Sequence, residues 1–232
     1  MTFHWPSPLG FLFLGYVLFG LPWLAHRSGQ RMAGQSPGQS VPTRQQVWQS
    51  VVVMQLIMLA FAWLTGREFG YPFLAWEGVS IRAVLVTIAA LAGLLVLRVV
   101  VRRTRTDAER RELAVFKFAP RTPPEWRATV LMIGVTAVSE EVAYRGVGHA
   151  LLWWMFGNGY LAAGLAAAAF AGAHAVQGRK SMAMIFVTAL VMHALVAVTG
   201  TLLLAIVVHA AFDLYAGWRI AVEARTLLPQ ES

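Results

Sequence analysis

Long apolar stretches separated by short polar or basic links recur along the chain, at 9–25, 47–64, 83–101, 128–156, 161–176, 182–198 and 202–218. A helix crossing the hydrocarbon core needs about 17–25 predominantly apolar residues. The pattern therefore predicts an all-α fold, a polytopic membrane helix bundle with about seven transmembrane helices. The fifth stretch is short and alanine-rich. Only Thr199-Gly200-Thr201 separates the last two, which leaves a re-entrant arrangement open. No link is long enough for a soluble domain, so 1–232 reads as a single membrane domain.

The links carry their own signals. Residues 27–46, rich in Gly, Ser, Gln and Pro, read as a flexible loop. Within 102–127, Thr106-x-x-Glu109 is a capping box for a short helix. Its Leu113, Phe116 and Phe118 are expected on the membrane surface, with Ala119-Pro120 ending it. Thr122-Pro123-Pro124-Glu125 then starts the fourth long helix, with prolines where a missing N–H does no harm.

Composition agrees: 58% of residues are hydrophobic, 13% are charged, and mean hydropathy is +0.60. The net charge of +8 is a matter of location. Fifteen of the 19 Lys and Arg fall in the links and tail of one side, against Arg67 and Arg82 on the other. That assigns the charge to topology and lipid headgroups rather than nucleic acid, and places the N-terminus outside and the C-terminus in the cytoplasm. The absence of cysteine excludes thiol catalysis and disulfides. The first eight residues lack Lys and Arg, so a secretory signal peptide is not expected.

Apart from Arg98 near a span end, the ionisable residues inside the apolar stretches are Glu140, Glu141, Arg145, His149, His174, His193, His209 and Asp213. All lie in the second half, which makes 1–101 scaffold helices and 125–218 the working part. A charge near mid-bilayer costs about 2.5 kcal/mol or more, so such groups face a bundle interior and mark function. Glu141 and Arg145 stand at i and i+4, the spacing of an ion pair. Glu140 is turned about 100° away, without a local cation, and is the candidate general base. His209 and Asp213 repeat the i, i+4 relation; the carboxylate can orient the imidazole, and both can organise hydrogen bonds toward a developing oxyanion. His174 follows Phe170 by one turn among Gly164, Ala168 and Gly172, small residues that let helices approach closely. His149 and His193 have no partner at helical spacing and read as packing residues. Glu140, His174 and His209 would also make a zinc set of three ligands and a water. The chain lacks His-Glu-x-x-His, so a site without a cofactor is the expectation and zinc the alternative. Helical rise puts Glu140 about 20 Å beyond Arg127 and Asp213 about 18 Å into its helix, compatible with one pocket in the middle to inner leaflet.

Taken in order on separate apolar helices, Glu140-Glu141-x-x-x-Arg145, Phe170-x-x-x-His174 and His209-x-x-x-Asp213 resemble the CAAX protease and bacteriocin-processing (Abi) family of intramembrane endopeptidases. The resemblance covers 125–218. It implies hydrolysis of a peptide bond in a membrane-associated protein or peptide. Glu140 and His174 would activate the water, His209 and Asp213 would stabilise the oxyanion, and Glu141 and Arg145 would support the site. Family members have been described both as metalloproteases and as glutamate-type enzymes, which leaves zinc open. The last motif position is often Asn; Asp213 has to be protonated or turned toward the imidazole. Compact size, short loops and no targeting peptide point to a prokaryotic inner membrane, where prenyl-protein processing is less expected. A proton-coupled transporter and an inactive immunity or scaffold protein of the same fold are the alternatives.

Overall fold

Side-chain caps set where the helices begin. Thr43 and Gln46 form a capping box at the start of one helix, and Thr122 and Glu125 form another ahead of two prolines. Ser80 accepts from the Ala83 N–H, and Asn158 accepts from those of Tyr160 and Leu161. Gly157 (φ 64°) and Gly200 (φ 70°) end helices in the left-handed region that a side chain resists.

The resulting computed structural model describes residues 6–33, 43–73, 80–112, 116 and 118–227, and every regular element among them is helical. Helix α1 runs as Pro8–Gly15, a π turn Tyr16–Gly20, and Leu21–Ala33. Helices α2 (Arg44–Glu68) and α3 (Ile81–Arg103) follow, then the short α4 (Asp107–Glu112). Helix α5 runs from Pro123–Glu140 through a π turn, Glu141–Gly148, into His149–Phe156. Helix α6 (Gly159–Gly172) leads through a 3₁₀ turn, Ala175–Gln177, to α7 (Arg179–Thr199) and α8 (Leu202–Leu227).

Among the described residues five helices are long and apolar enough to cross a membrane: Pro8–Arg31, Arg44–Glu68, Ile81–Arg103, Arg179–Thr199 and Leu202–Thr226. Seven were expected. Both of the others are helical, but α5 carries three charged residues in mid-course and α6 has only 14 residues, about 21 Å at 1.5 Å per residue. Large apolar side chains such as Leu12, Ile57, Ile88 and Leu131 point outward, the arrangement an integral membrane protein requires.

Packing centres on α5. One core cluster joins Phe13 and Val17 of α1, Ala62 of α2, Ala143 and Val147 of α5, and Ala166 of α6. A second joins Leu94 of α3, Leu195 of α7, and Ala205 and Val208 of α8. Close approach by α6 comes from Ala162, Ala166 and Ala167 rather than from Gly164, which has open space around it, or Ala168, which is exposed. Gly172 does serve as expected, since a Cβ there would lie 3.2 Å from Pro22.

Other link readings change as well. Helix α1 continues to Ala33 and α2 begins at Arg44, so much of 27–46 is helical; 34–42 lie outside the described residues. Thr106 and Glu109 do form the reciprocal cap, at 2.9 and 3.2 Å. Phe116, however, is buried against Ala119, Ala221 and Ala224 rather than lying on the membrane surface; Leu113 is outside the described residues. Phe118 is half-buried and lines the central cavity. Helices α7 and α8, of 21 and 26 residues, are both full-length, which removes the re-entrant alternative.

Candidate active site

The backbone changes hand-over where the charges begin. From Glu141 to Gly148 the helix widens into a π turn, a feature frequent at functional sites, where sequence periodicity had implied unbroken α-helix. Glycine is required at its end: a Cβ on Gly148 would come within 2.6 Å of the Ala143 carbonyl oxygen. All eight residues of the turn are buried.

The π turn aims its charged side chains at α8. Glu141, fully buried, meets Arg145 at 3.2 Å and accepts a 2.7 Å hydrogen bond from His209 Nδ1. The other imidazole nitrogen, Nε2, lies 3.6 Å from Glu140 Oε2 and 3.4 Å from Asp213 Oδ2. His209 is therefore surrounded by three carboxylates, two from α5 and one from its own helix. Asp213 is turned toward the imidazole, one of the two conditions its replacement of Asn imposes. The two glutamates differ in their partners: Glu141 is held by Arg145 and by His209 Nδ1, whereas Glu140 has no cation on its own helix and its Oε2 faces His209 Nε2 from α8.

Phe170 joins this cluster to α6. Arg145 Cζ sits 4.3 Å from its ring centre, and the Tyr144 ring meets it edge-on at 5.0 Å. His174 lies 4.7 Å away, and His209 lies 6.4 Å away. His174 has left the helix and stands between α6 and the 3₁₀ turn. Its Nδ1–H donates to the Phe170 carbonyl at 2.8 Å, so in the neutral ring Nε2 is the acceptor.

A cavity of about 770 Å³ brings these groups to one space; Glu140, Tyr144, Arg145, His174, His209 and Asp213 line it. Its walls are largely apolar, with Met54, Met58, Leu94 and Met192 among them, and Arg98, Arg102 and Arg105 stand toward one end. His149 and His193 do not line it. They pair with each other, rings 5.2 Å apart, and His149 Nε2–H donates to the Gly159 carbonyl. That packing role was expected; the pairing, between helices, has no signature in spacing along the chain.

Sequence reading missed Gln55. On α2, in the part assigned to scaffold, its Nε2 donates to Glu140 Oε1 at 2.7 Å, and its Oε1 accepts from the Ser139 hydroxyl. A buried glutamine on an apolar stretch was the available signal. Among the described residues no three His, Asp or Glu side chains are grouped to hold a metal ion. Glu140, His174 and His209 do not form such a group.

Residues 122–215 match the family model described as Type II CAAX prenyl endopeptidase Rce1-like. The match begins at the cap of α5 and ends two residues past Asp213, so it spans all three motifs. No curated protein and no solved structure matches the chain.

Proposed function

Because residues 122–215 belong to the CAAX protease and bacteriocin-processing family of intramembrane endopeptidases, we propose that this membrane protein hydrolyses a peptide bond with Glu140 as general base. One observation carries the reading: Glu140, His209 and Asp213, from two helices 60 or more residues apart in sequence, line one cavity, with buried Glu141 bonded to His209 beside it.

A water beside Glu140 Oε2 gives that oxygen a proton as its own oxygen bonds the scissile carbonyl carbon. The carbonyl π pair moves onto oxygen. With Glu141 on one ring nitrogen and Glu140 and Asp213 facing the other, His209 donates from both, and its Nε2–H meets the oxyanion. When the oxyanion collapses, the C–N bond breaks and Glu140 returns its proton to the leaving amine. His174 Nε2, an acceptor, orients the water. Asp213 holds the imidazole rather than the oxyanion, and Arg145 pairs with Glu141 in the interior.

The apolar walls suit a hydrophobic or amphipathic peptide presented within the membrane, and the basic residues at one end of the bundle support an inner-membrane protein with its C-terminus in the cytoplasm. Purified full-length chain in nanodiscs, given internally quenched apolar peptides in ¹⁸O water, tests the activity. New C-termini carrying one solvent oxygen are expected, and retained turnover in a zinc-free preparation. Ion flux without hydrolysis would favour the transporter, and activity that vanishes with zinc and returns with it would overturn the metal-free route.

A further inference from the structure

Glu140 has two chemically equivalent oxygens, and only one of them faces His209. Its Oε2 is the oxygen 3.6 Å from His209 Nε2, while Oε1 accepts the 2.7 Å hydrogen bond from Gln55. Gln55 is buried, and its own orientation is fixed in turn. A primary amide can rotate to exchange its N and O, so a neighbour must decide which end points where. Ser139 does this: with its hydroxyl donating to Gln55 Oε1, the amide nitrogen is left for Glu140. Ser139 Oγ also lies 3.1 Å from the Thr136 carbonyl, but its single proton serves one acceptor at a time.

We infer that Gln55 is a positioning residue for the reaction proposed above: it occupies Oε1 of Glu140 and so makes Oε2, the oxygen facing His209, the one that takes the proton from water. The inference rests on the general-base reading and adds a residue from outside the matched segment. A carboxylate free to rotate about its last torsion would present either oxygen, and part of its population would be misdirected. Gln55, itself on the cavity wall, holds it through the other oxygen, and Ser139 holds Gln55. The other charged and titratable groups around Glu140 are Glu141, Tyr144 and Arg145 on α5, and His209 and Asp213 on α8, with His174 on the shared cavity wall.

Gln55→Met keeps an unbranched side chain of similar length and removes the donor; Ser139→Ala leaves the amide free to turn. Both are assayed in the full chain on a quenched peptide that the wild type cleaves, alone and combined with Glu140→Gln. Gln55→Met is expected to lower kcat about 10- to 100-fold, the equivalent of one hydrogen bond to a charged group, with KM within about twofold of wild type. Ser139→Ala is expected to lose less, about tenfold or under. Neither should reduce the residual rate of Glu140→Gln further, because both act through that carboxylate. If Gln55→Met is not recovered as a monodisperse folded protein, the Ser139→Ala pair decides by the same criteria. An inactive Glu140→Gln beside a Gln55→Met with wild-type kcat overturns this inference and leaves the base reading standing. Equal fractional losses with and without Glu140 would make Gln55 merely structural. Full turnover by Glu140→Gln removes the base reading itself.

Discussion

Glu140 and Glu141 are adjacent in sequence yet meet different partners, and the division of labour between them follows. Glu141 and Arg145 are both almost fully buried, and removing one partner strands the other's charge. Breaking a buried ion pair costs about 3–5 kcal/mol, so Arg145→Leu should lower stability on that scale as read by detergent-phase unfolding, while Glu141→Gln together with Arg145→Leu should recover much of the loss. His209→Ala should reduce kcat about 10²- to 10³-fold, as loss of an oxyanion donor does, with KM little changed. The pairs at i and i+4 could be read directly, because helical spacing dictates them: Glu141 with Arg145, and His209 with Asp213. The bonds from His209 to Glu141 and from Gln55 to Glu140 join residues 68 and 85 positions apart. Only packing brings those together, and nothing in a local pattern records it.

At the scale of the element, the π turn of α5 decides where these side chains point. A widened turn holds one more residue than an α turn, so the side chains after it are displaced around the axis. Gly148→Ala would press a methyl group against the Ala143 carbonyl. Overpacking of this kind costs about 1–3 kcal/mol, and relief by tightening the turn would swing Glu141 and Arg145 from α8. The expected outcome is a folded protein with a lower unfolding temperature and greatly reduced turnover. Apolar periodicity could not reveal the widening, since all eight residues of the turn are buried and no exposed polar stripe exists to slip. The cap of α4, by contrast, was legible from Thr106 and Glu109. There Lys180 donates to Glu109 at 2.8 Å, and this bond, with the Thr106 N–H, holds the carboxyl below the usual glutamate range. A depressed carboxylate contributes stability above the unfolded-state value and loses it as pH falls through the folded one. Glu109→Gln should therefore unfold at slightly lower temperature than wild type near neutral pH, and the difference should close in acid.

Across the molecule, hydropathy located every long helix among the described residues, but five of them rather than seven are long and apolar enough to cross a membrane. The two that fall short, α5 and α6, carry Glu140, Glu141, Arg145 and Phe170, and α6 delivers His174 at its end. Charge in one and brevity in the other weaken the membrane signal at the functional part of the chain. Orientation depends on the same global view: Arg44, Arg102, Arg105, Arg179, Lys180 and Arg225 belong to links and ends that the order of helices brings to one side. A C-terminal green fluorescent protein fusion should fluoresce and a C-terminal alkaline phosphatase fusion should be inactive; the reverse would place that basic end outside. The central claim, that a carboxylate on α5 activates water in a cavity closed by α8, is tested most directly by single-turnover hydrolysis of a quenched apolar peptide by purified Glu140→Gln. Loss of a positioned general base predicts a fall of about 10²- to 10⁴-fold in the chemical step, with peptide binding retained; hydrolysis at the wild-type rate would contradict it.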